Sequence, residues 1–145
     1  MSSVQELAVP LIKKSEGLRL EAYKCPAGVW TIGWGHTGGV KAGQKITRLE
    51  AGQLLAEDFH EAYRAVHSLI TKPSHLTSAQ CAALVDFTFN LGAWNLKRST
   101  LLKRVNAGDF ADVPRQLRRW IHGGGKVLPG LVTRREAEVK LWSSS

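Results

Sequence analysis

Three side chains in the stretch SEGLRLEAYKCPAGVWTIGWGHT, residues 15–37, have types and spacing suited to chemistry. Glu16 is a single carboxylate just past an amphipathic run, Cys25 follows nine positions on, and Thr31 six further. A carboxyl group that serves as a proton donor must keep its proton near neutrality, well above the ~4.3 of a free glutamate. A neutral thiol is a poor base with a pKa of about 8.5, but its thiolate is both a competent base and a strong nucleophile. Lys24 adjoins Cys25 and is a candidate for favouring that thiolate. Taken alone, Glu16 reads more simply as a solvated charge at a helix end. His36 has no second metal ligand at suitable spacing, so a structural hydrogen-bonding role is expected of it, and no metal or other cofactor is implied. The run GWGHTGG lacks the Lys-Ser/Thr ending and the strand–loop–helix setting of a phosphate loop.

The elements that must position these groups can be read from periodicity. Val4, Leu7, Ala8, Leu11 and Ile12 form one helical face, and Ser3 with Glu6 predicts a capping box that starts the helix at Ser3. Pro10 should kink that helix or delay its start, and Gly17 should stop it. Glu16 then sits at the helix C-terminus, where the partial negative charge disfavours an ionised carboxylate. Short strands and turns are predicted from Leu18 to Val40, with glycines at the tight turns. Thr47 with Glu50 opens a long helix carrying the stripe Leu55, Phe59, Ala62, Val66 and Leu69, which must end before Pro73. Thr77 with Gln80 opens another, with Leu76 and Cys81 placed for a hydrophobic staple. It is apolar on nearly every face from Ala79 to Leu91, and Gly92 ends it. Leu101, Leu102 and Val105 mark a short helix. Val113, Leu117 and Trp120 mark another, in which Pro114 is tolerable in the first turn. Gly123-Gly124-Gly125 reads as a flexible loop. Thr133 with Glu136 should start the last helix, with Arg134, Ala137 and Leu141 on one face.

The 145 residues suit one domain, 43% hydrophobic and 22% charged as expected for a globular chain. The formal charge of +8 favours polyanions such as nucleic acid, anionic lipid or a bacterial wall, without choosing among them. Arg115, Arg118 and Arg119 read as a solvated basic face. Two cysteines, Cys25 and Cys81, are too few for a disulfide scaffold and are expected to be free thiols, Cys81 as a small core residue. A Cys25–Cys81 bridge is not something the sequence can test. The N-terminus shows no signal peptide, and no run is long enough to span a membrane.

The motifs Glu16-Gly17-Leu18-Arg19, Tyr23 and Thr31-Ile32-Gly33-Trp34-Gly35-His36 resemble the phage-type lysozymes, the endolysin muramidases of glycoside hydrolase family 24. The resemblance continues at Asp86-Phe87-Thr88-Phe89-Asn90-Leu91-Gly92 and at Pro129–Glu136, and spans Leu11 to Leu141. It implies an α+β lysozyme-like fold in a single domain. A small β-sheet lobe (about 15–46) would be joined by a long connecting helix (about 47–70) to a mainly helical lobe (1–14 and 70–145). It implies cleavage, with inversion, of the β-1,4 bond between N-acetylmuramic acid and N-acetylglucosamine in peptidoglycan, for host-cell lysis. Glu16 would be the general acid, with Cys25 and Thr31 positioning or activating water. Thr37, Phe89, Thr100 and Gln116 would contact substrate, and Arg134 would pair with Glu16, with His36 in support. A nearby cation favours the carboxylate and so opposes the helix-end effect, and which dominates is open at this stage.

One departure stands out: the family usually has Asp where this chain has Cys25. Three readings follow: a thiolate that replaces the Asp, even as a covalent nucleophile; a dispensable thiol, with water held by Thr31 alone; or lost catalysis. An active enzyme is expected, because Glu16, Thr31, Arg134 and the surrounding glycines are all present. The alternative is a catalytically impaired peptidoglycan-binding protein. A nucleic-acid-binding protein is a third class, disfavoured because no recognition motif is present. The expected partner is bacterial peptidoglycan, with contact to anionic wall or outer-membrane components, by a monomer that waits in the host cytoplasm until another factor opens the membrane.

Overall fold

In a computed structural model that describes residues 2–144, helix α1 (Ser2–Glu16) ends on Glu16. Gly17 stops it with φ +69°, a left-handed conformation that glycine adopts without penalty, and its N–H closes on the Lys13 carbonyl at 3.0 Å. Val4, Ala8 and Ile12 are buried, while Leu7 is exposed and Leu11 half-buried, so the core-facing stripe is narrower than the periodicity predicts. The helix is already under way at Ser2. Ser3 is therefore inside the helix and not its cap. Nor does Pro10 delay the start: the helix runs through it. Pro10 and Glu6 are both exposed, so the carbonyl that loses its partner can turn to water.

After Gly17 the chain turns into β1 (Arg19–Lys24), paired antiparallel with β2 (Trp30–Gly33) in the register Tyr23↔Thr31 and Lys24↔Trp30. A tighter reversal follows at once. Ile32 and His36 exchange both backbone bonds at 2.9 Å, with Gly33 and Gly35 at φ +67° and +77° in the turn. The chain then returns to the other edge of β1, where Ala22 bonds the Gln44 carbonyl and Ile46 the Leu20 carbonyl.

Helix α2 (Arg48–Leu69) starts with the predicted capping box, Thr47 Oγ1 accepting from Glu50 N at 3.1 Å and Glu50 Oε1 from Thr47 N at 2.9 Å. It buries Ala51, Leu55, Phe59, Ala62 and Val66, and packs against β2 and against α3. Helix α3 (Ser78–Leu91) has its capping box on Thr77 and Gln80. Ala79 and every residue from Cys81 to Thr88 are buried, which follows from its place against α1, α2 and α7. Gly92, at φ +89°, ends it and leads into α4 (Ala93–Lys97), a short helix that the hydrophobic pattern does not announce.

Helices α5 (Thr100–Asn106) and α6 (Val113–Arg118) complete the packing. The triple glycine is not a loose loop: β3 (His122–Gly123) and β4 (Lys126–Val127) form a hairpin across Gly124 and Gly125, both at positive φ. Helix α7 (Pro129–Ser143) begins four residues before the predicted Thr133. Proline suits a first helical position, where its missing donor would have no partner anyway. The buried face of α7 is Arg134, Arg135, Glu138, Val139 and Trp142 rather than Arg134, Ala137 and Leu141. Arg115 and Arg118 are exposed and tied to Asp112 and Glu136 at 2.7 and 2.8 Å.

Leu84, fully buried at the centre of α3, and Leu49, 74% exposed on α2, make a test of this packing. Leu84→Ala should lose about 3 kcal/mol, lowering Tm by about 10 °C, whereas Leu49→Ala should change stability by less than about 0.5 kcal/mol. Thermal denaturation followed by circular dichroism reads both.

Candidate active site

Glu16 does not face solvent freely. It is 20% exposed, and its Oε2 lies 2.6 Å from Nη1 of Arg134, on the first half of α7. The Glu16 side chain also passes directly beneath Gly35. A Cβ built there would lie 2.6 Å from Glu16 Oε1 and 2.8 Å from Cδ, and the φ of +77° disfavours a side chain as well. The glycine-framed reversal after β2 is therefore a lid of bare backbone on the carboxylate. Arg134 is itself 5% exposed and held from behind. Its Nε and Nη2 donate to the two oxygens of Asp86, on α3, at 2.9 and 2.8 Å. Burial acts against the Arg134 charge, but Asp86 and Glu16 more than offset it and hold the guanidinium above its ordinary pKa.

Cys25 and Thr31 form a second group on the β1–β2 connection. Cys25 to Gly28 is a tight turn with Pro26 in its second position, closed by Gly28 N donating to the Cys25 carbonyl at 2.8 Å. Hydrogen bonding from Val29 N–H is the largest influence and lowers the thiol pKa. Burial opposes it, and the Ala27 backbone adds to the lowering. The Thr31 hydroxyl lies 3.0 Å from the Val29 carbonyl, to which it donates. Lys24 is otherwise engaged, its ammonium 5.4 Å from the Trp30 ring centroid. Both cysteines are free thiols, and burial pushes Cys81 up to about 11.

A cleft of about 400 Å³ opens from Gly35. Gly35 to Gly38 line one side, Asp58, Glu61, Ala62 and Ala65 of α2 the floor, and Thr88, Phe89, Gly92 and Ala93 the other side. Of the residues expected to contact substrate, the structure brings Thr37 and Phe89 together on this cleft. Thr100 begins α5 and lies outside the lining. Gln116 is 2% exposed, and its amide is committed to Asp112 at 3.0 Å and to Arg119 at 3.2 Å. Glu16, Cys25 and Thr31 are not cleft-lining residues either; Gly35 joins Glu16 to the cleft.

His36 places Nδ1 2.7 Å from Asp58 Oδ2 and Nε2 3.0 Å from the Gly38 carbonyl, bracing the reversal against α2. Asp58 feels opposing influences: burial raises its pKa, and the His36 contact lowers it, with the rise prevailing. Sequence reasoning names Arg134 but not the acid behind it. The available signal was that Asp86 is the one charged residue in an otherwise uncharged buried run, and a buried charge requires a partner. Gly35→Ala should displace the Glu16 carboxylate and strain the turn. It should lower Tm by about 5 °C through a loss of about 1–3 kcal/mol, read by thermal denaturation, while Gly39→Ala, with open space around its Cβ, should lose less.

The Phage lysozyme family pattern matches residues 13–138. An endolysin of Acyrthosiphon pisum secondary endosymbiont phage 1 is 38% identical over 146 aligned positions, covering 98% of this chain and 99% of that one. Among solved structures, the muramidase domain of SpmX from Asticaccaulis excentricus superposes with a TM-score of 0.85 at 37% identity, covering 95% of each chain. The endolysin from Escherichia coli O157:H7 phage FAHEc1 gives 0.85 at 35% identity, over 97% of this chain and 93% of that one. The fold is thus the α+β fold of these lysozymes, mostly helical with a small sheet. A carboxylate at a helix end, pinned by an arginine from the last helix beneath a glycine turn, belongs here to a member of the phage lysozyme family, and the chain is a lysozyme.

Proposed function

We propose that this lysozyme hydrolyses the β-1,4 bond between N-acetylmuramic acid and N-acetylglucosamine in peptidoglycan, with inversion. The observation that carries the reading is the fixed Glu16 carboxyl, held by Arg134 at 2.6 Å and roofed by Gly35 where the cleft begins. A sugar chain in the cleft would lie against Thr37 and Phe89, with the scissile oxygen at Glu16. Thr100 and Gln116 keep structural parts in this account, since neither lines the cleft.

In the step itself, the Glu16 proton passes to the leaving glycosidic oxygen as the bond from that oxygen to the anomeric carbon breaks. A water on the opposite face of the ring supplies the new bond to that carbon, and its proton goes to the Cys25 thiolate. Thr31 helps to hold the water. The lowered Cys25 pKa supports the thiolate as a base in place of a carboxylate. The positive charge draws the enzyme to an anionic wall and should make binding weaken with salt. Among the described residues no helix is long and apolar enough to cross a membrane. The enzyme passes to the wall, as a monomer, through a membrane opened by another factor.

Release of reducing ends from purified peptidoglycan tests the assignment. Glu16→Gln nearly keeps the shape but has no proton to give, and should lower the rate by about 10²- to 10⁴-fold. Full activity in that variant removes Glu16 from the mechanism, and wall binding without reducing ends from the wild type identifies a binding protein instead. Cys25→Ser should be slower than wild type and Cys25→Asp equal or faster. The wild-type rate should fall as pH drops through the lowered thiol pKa, whereas Cys25→Asp should stay active to lower pH. A Cys25→Ser protein with the wild-type rate and pH profile would leave the thiol no chemical role.

A further inference from the structure

Helix α4 carries two side chains that the hydrolytic step does not use. Gly92 and Ala93, at its start, line the cleft. Trp94 follows and is 68% exposed, and Arg98, the residue that caps the helix, is exposed as well. Arg98 N donates to the Trp94 carbonyl at 3.1 Å, so the two residues stand one turn apart on one side of the helix. Exposure has not left the Arg98 side chain free. Its Nε donates to Asn95 Oδ1 at 3.0 Å, and Asn95 is oriented in turn by Nδ2, which donates to the Leu91 carbonyl at 2.6 Å. The guanidinium carbon lies 5.3 Å from the centroid of the Trp120 ring, which meets the fully buried Phe87 edge-on at 5.4 Å. Every group that holds Arg98 is neutral. Arg104 and Arg115 are paired with Asp112, Arg118 with Glu136 and Arg135 with Glu138, whereas no ion pair among the described residues takes in Arg98. Its Nη1 and Nη2 are a fixed two-pronged donor with a full charge and no acid of their own. Ordering in advance removes much of the side-chain entropy that binding would otherwise cost.

We propose that Arg98, with Trp94 beside it, binds a free carboxylate of the short peptide that muramic acid carries in peptidoglycan, and so makes the enzyme prefer chains whose peptides are charged. The shape of the guanidinium suits this ligand, since Nη1 and Nη2 can donate in parallel to the two oxygens of one carboxylate. The reach suits it too. A helix rises about 1.5 Å per residue, which puts Arg98 about 8 Å beyond the cleft margin at Ala93. An extended peptide spans about 3.3–3.6 Å per residue, so two or three residues leaving a sugar in the cleft arrive there. Trp94 offers an apolar ring on the way to the aliphatic parts of those residues. The N-acetyl sugars themselves are neutral, so a cation at this distance reads the peptide and not the glycan. Arg98 is in this account a specificity residue and takes no part in breaking the bond.

This role for Arg98 rests on the cleft holding peptidoglycan, as proposed above, and binding and hydrolysis test the two separately. Soluble peptidoglycan chains, freed of other wall polymers, are used with their peptide carboxylates intact or converted to amides. Equilibrium binding to both forms is measured in Glu16→Gln and in the double variant that adds Arg98→Gln. Glu16→Gln should bind the intact chains about three- to tenfold more tightly than the amidated ones, and the double variant should lose that preference. The preference is a ratio within one preparation, so partial misfolding does not imitate its loss. No preference in Glu16→Gln, or the same preference in both proteins, overturns the role of Arg98. Adding Trp94→Ala instead should weaken binding of both forms by about threefold, and unchanged binding removes the ring from the contact. In the active enzyme the same preference should appear in KM rather than kcat, because the peptide lies away from the bond that breaks, and it should vanish in Arg98→Gln. A preference carried by kcat, or one that survives in Arg98→Gln, likewise overturns the role. Failure of the hydrolytic reading looks different: the wild type would bind the chains with this preference and release no reducing ends.

Discussion

The structure depends on one guanidinium near the end of the chain, shared between a carboxylate near its start and another from its middle. Arg134 of α7 reaches forward to Glu16 of α1 and back to Asp86 of α3, with almost no exposed surface. Removing one partner from a buried pair of this kind leaves an uncompensated charge and destabilises by about 3–5 kcal/mol, whereas an exposed pair contributes about 0–1 kcal/mol. The exposed pair between Arg118 of α6 and Glu136 of α7 belongs to the second kind. The three helices that supply the buried triad are packed on one another, with α3 in the centre. Holding the triad together and holding the fold together are therefore largely the same requirement.

The other side of the site is built from backbone rather than charge. Gly35 brings the chain so close to Glu16 that no side chain fits between them, and His36 fastens the same turn to α2 through Asp58. The Cys25 turn uses the same economy. Backbone hydrogen bonding there holds the thiol below its ordinary pKa, so the local field favours a negative charge on the sulfur. Lys24, its sequence neighbour, spends its charge on Trp30.

Much of the framework was legible from short-range rules. The capping boxes at Thr47 and Thr77, the stops at Gly17 and Gly92, and the continuous burial of α3 all follow from interactions within four residues or from a simple apolar period. The misreadings share a cause as well. Thr133 looked like a helix start because its motif is local, yet Pro129 had already begun the helix against the β3–β4 hairpin. The triple glycine looked loose because glycine permits many conformations, and only its pairing partners choose one.

By its residues alone the chain determined where its helices begin and end within a few positions, that α3 would be the buried one, and that Glu16, Cys25, Thr31 and Arg134 were the groups to watch. Tertiary structure decided what those groups can do. The partners of Arg134 lie 118 and 48 residues away, Asp58 lies 22 residues from His36, and the burial that makes Asp86 matter is a property of three packed helices. The free energy of a charge is set by what surrounds it in space, and no local pattern of residues carries that information.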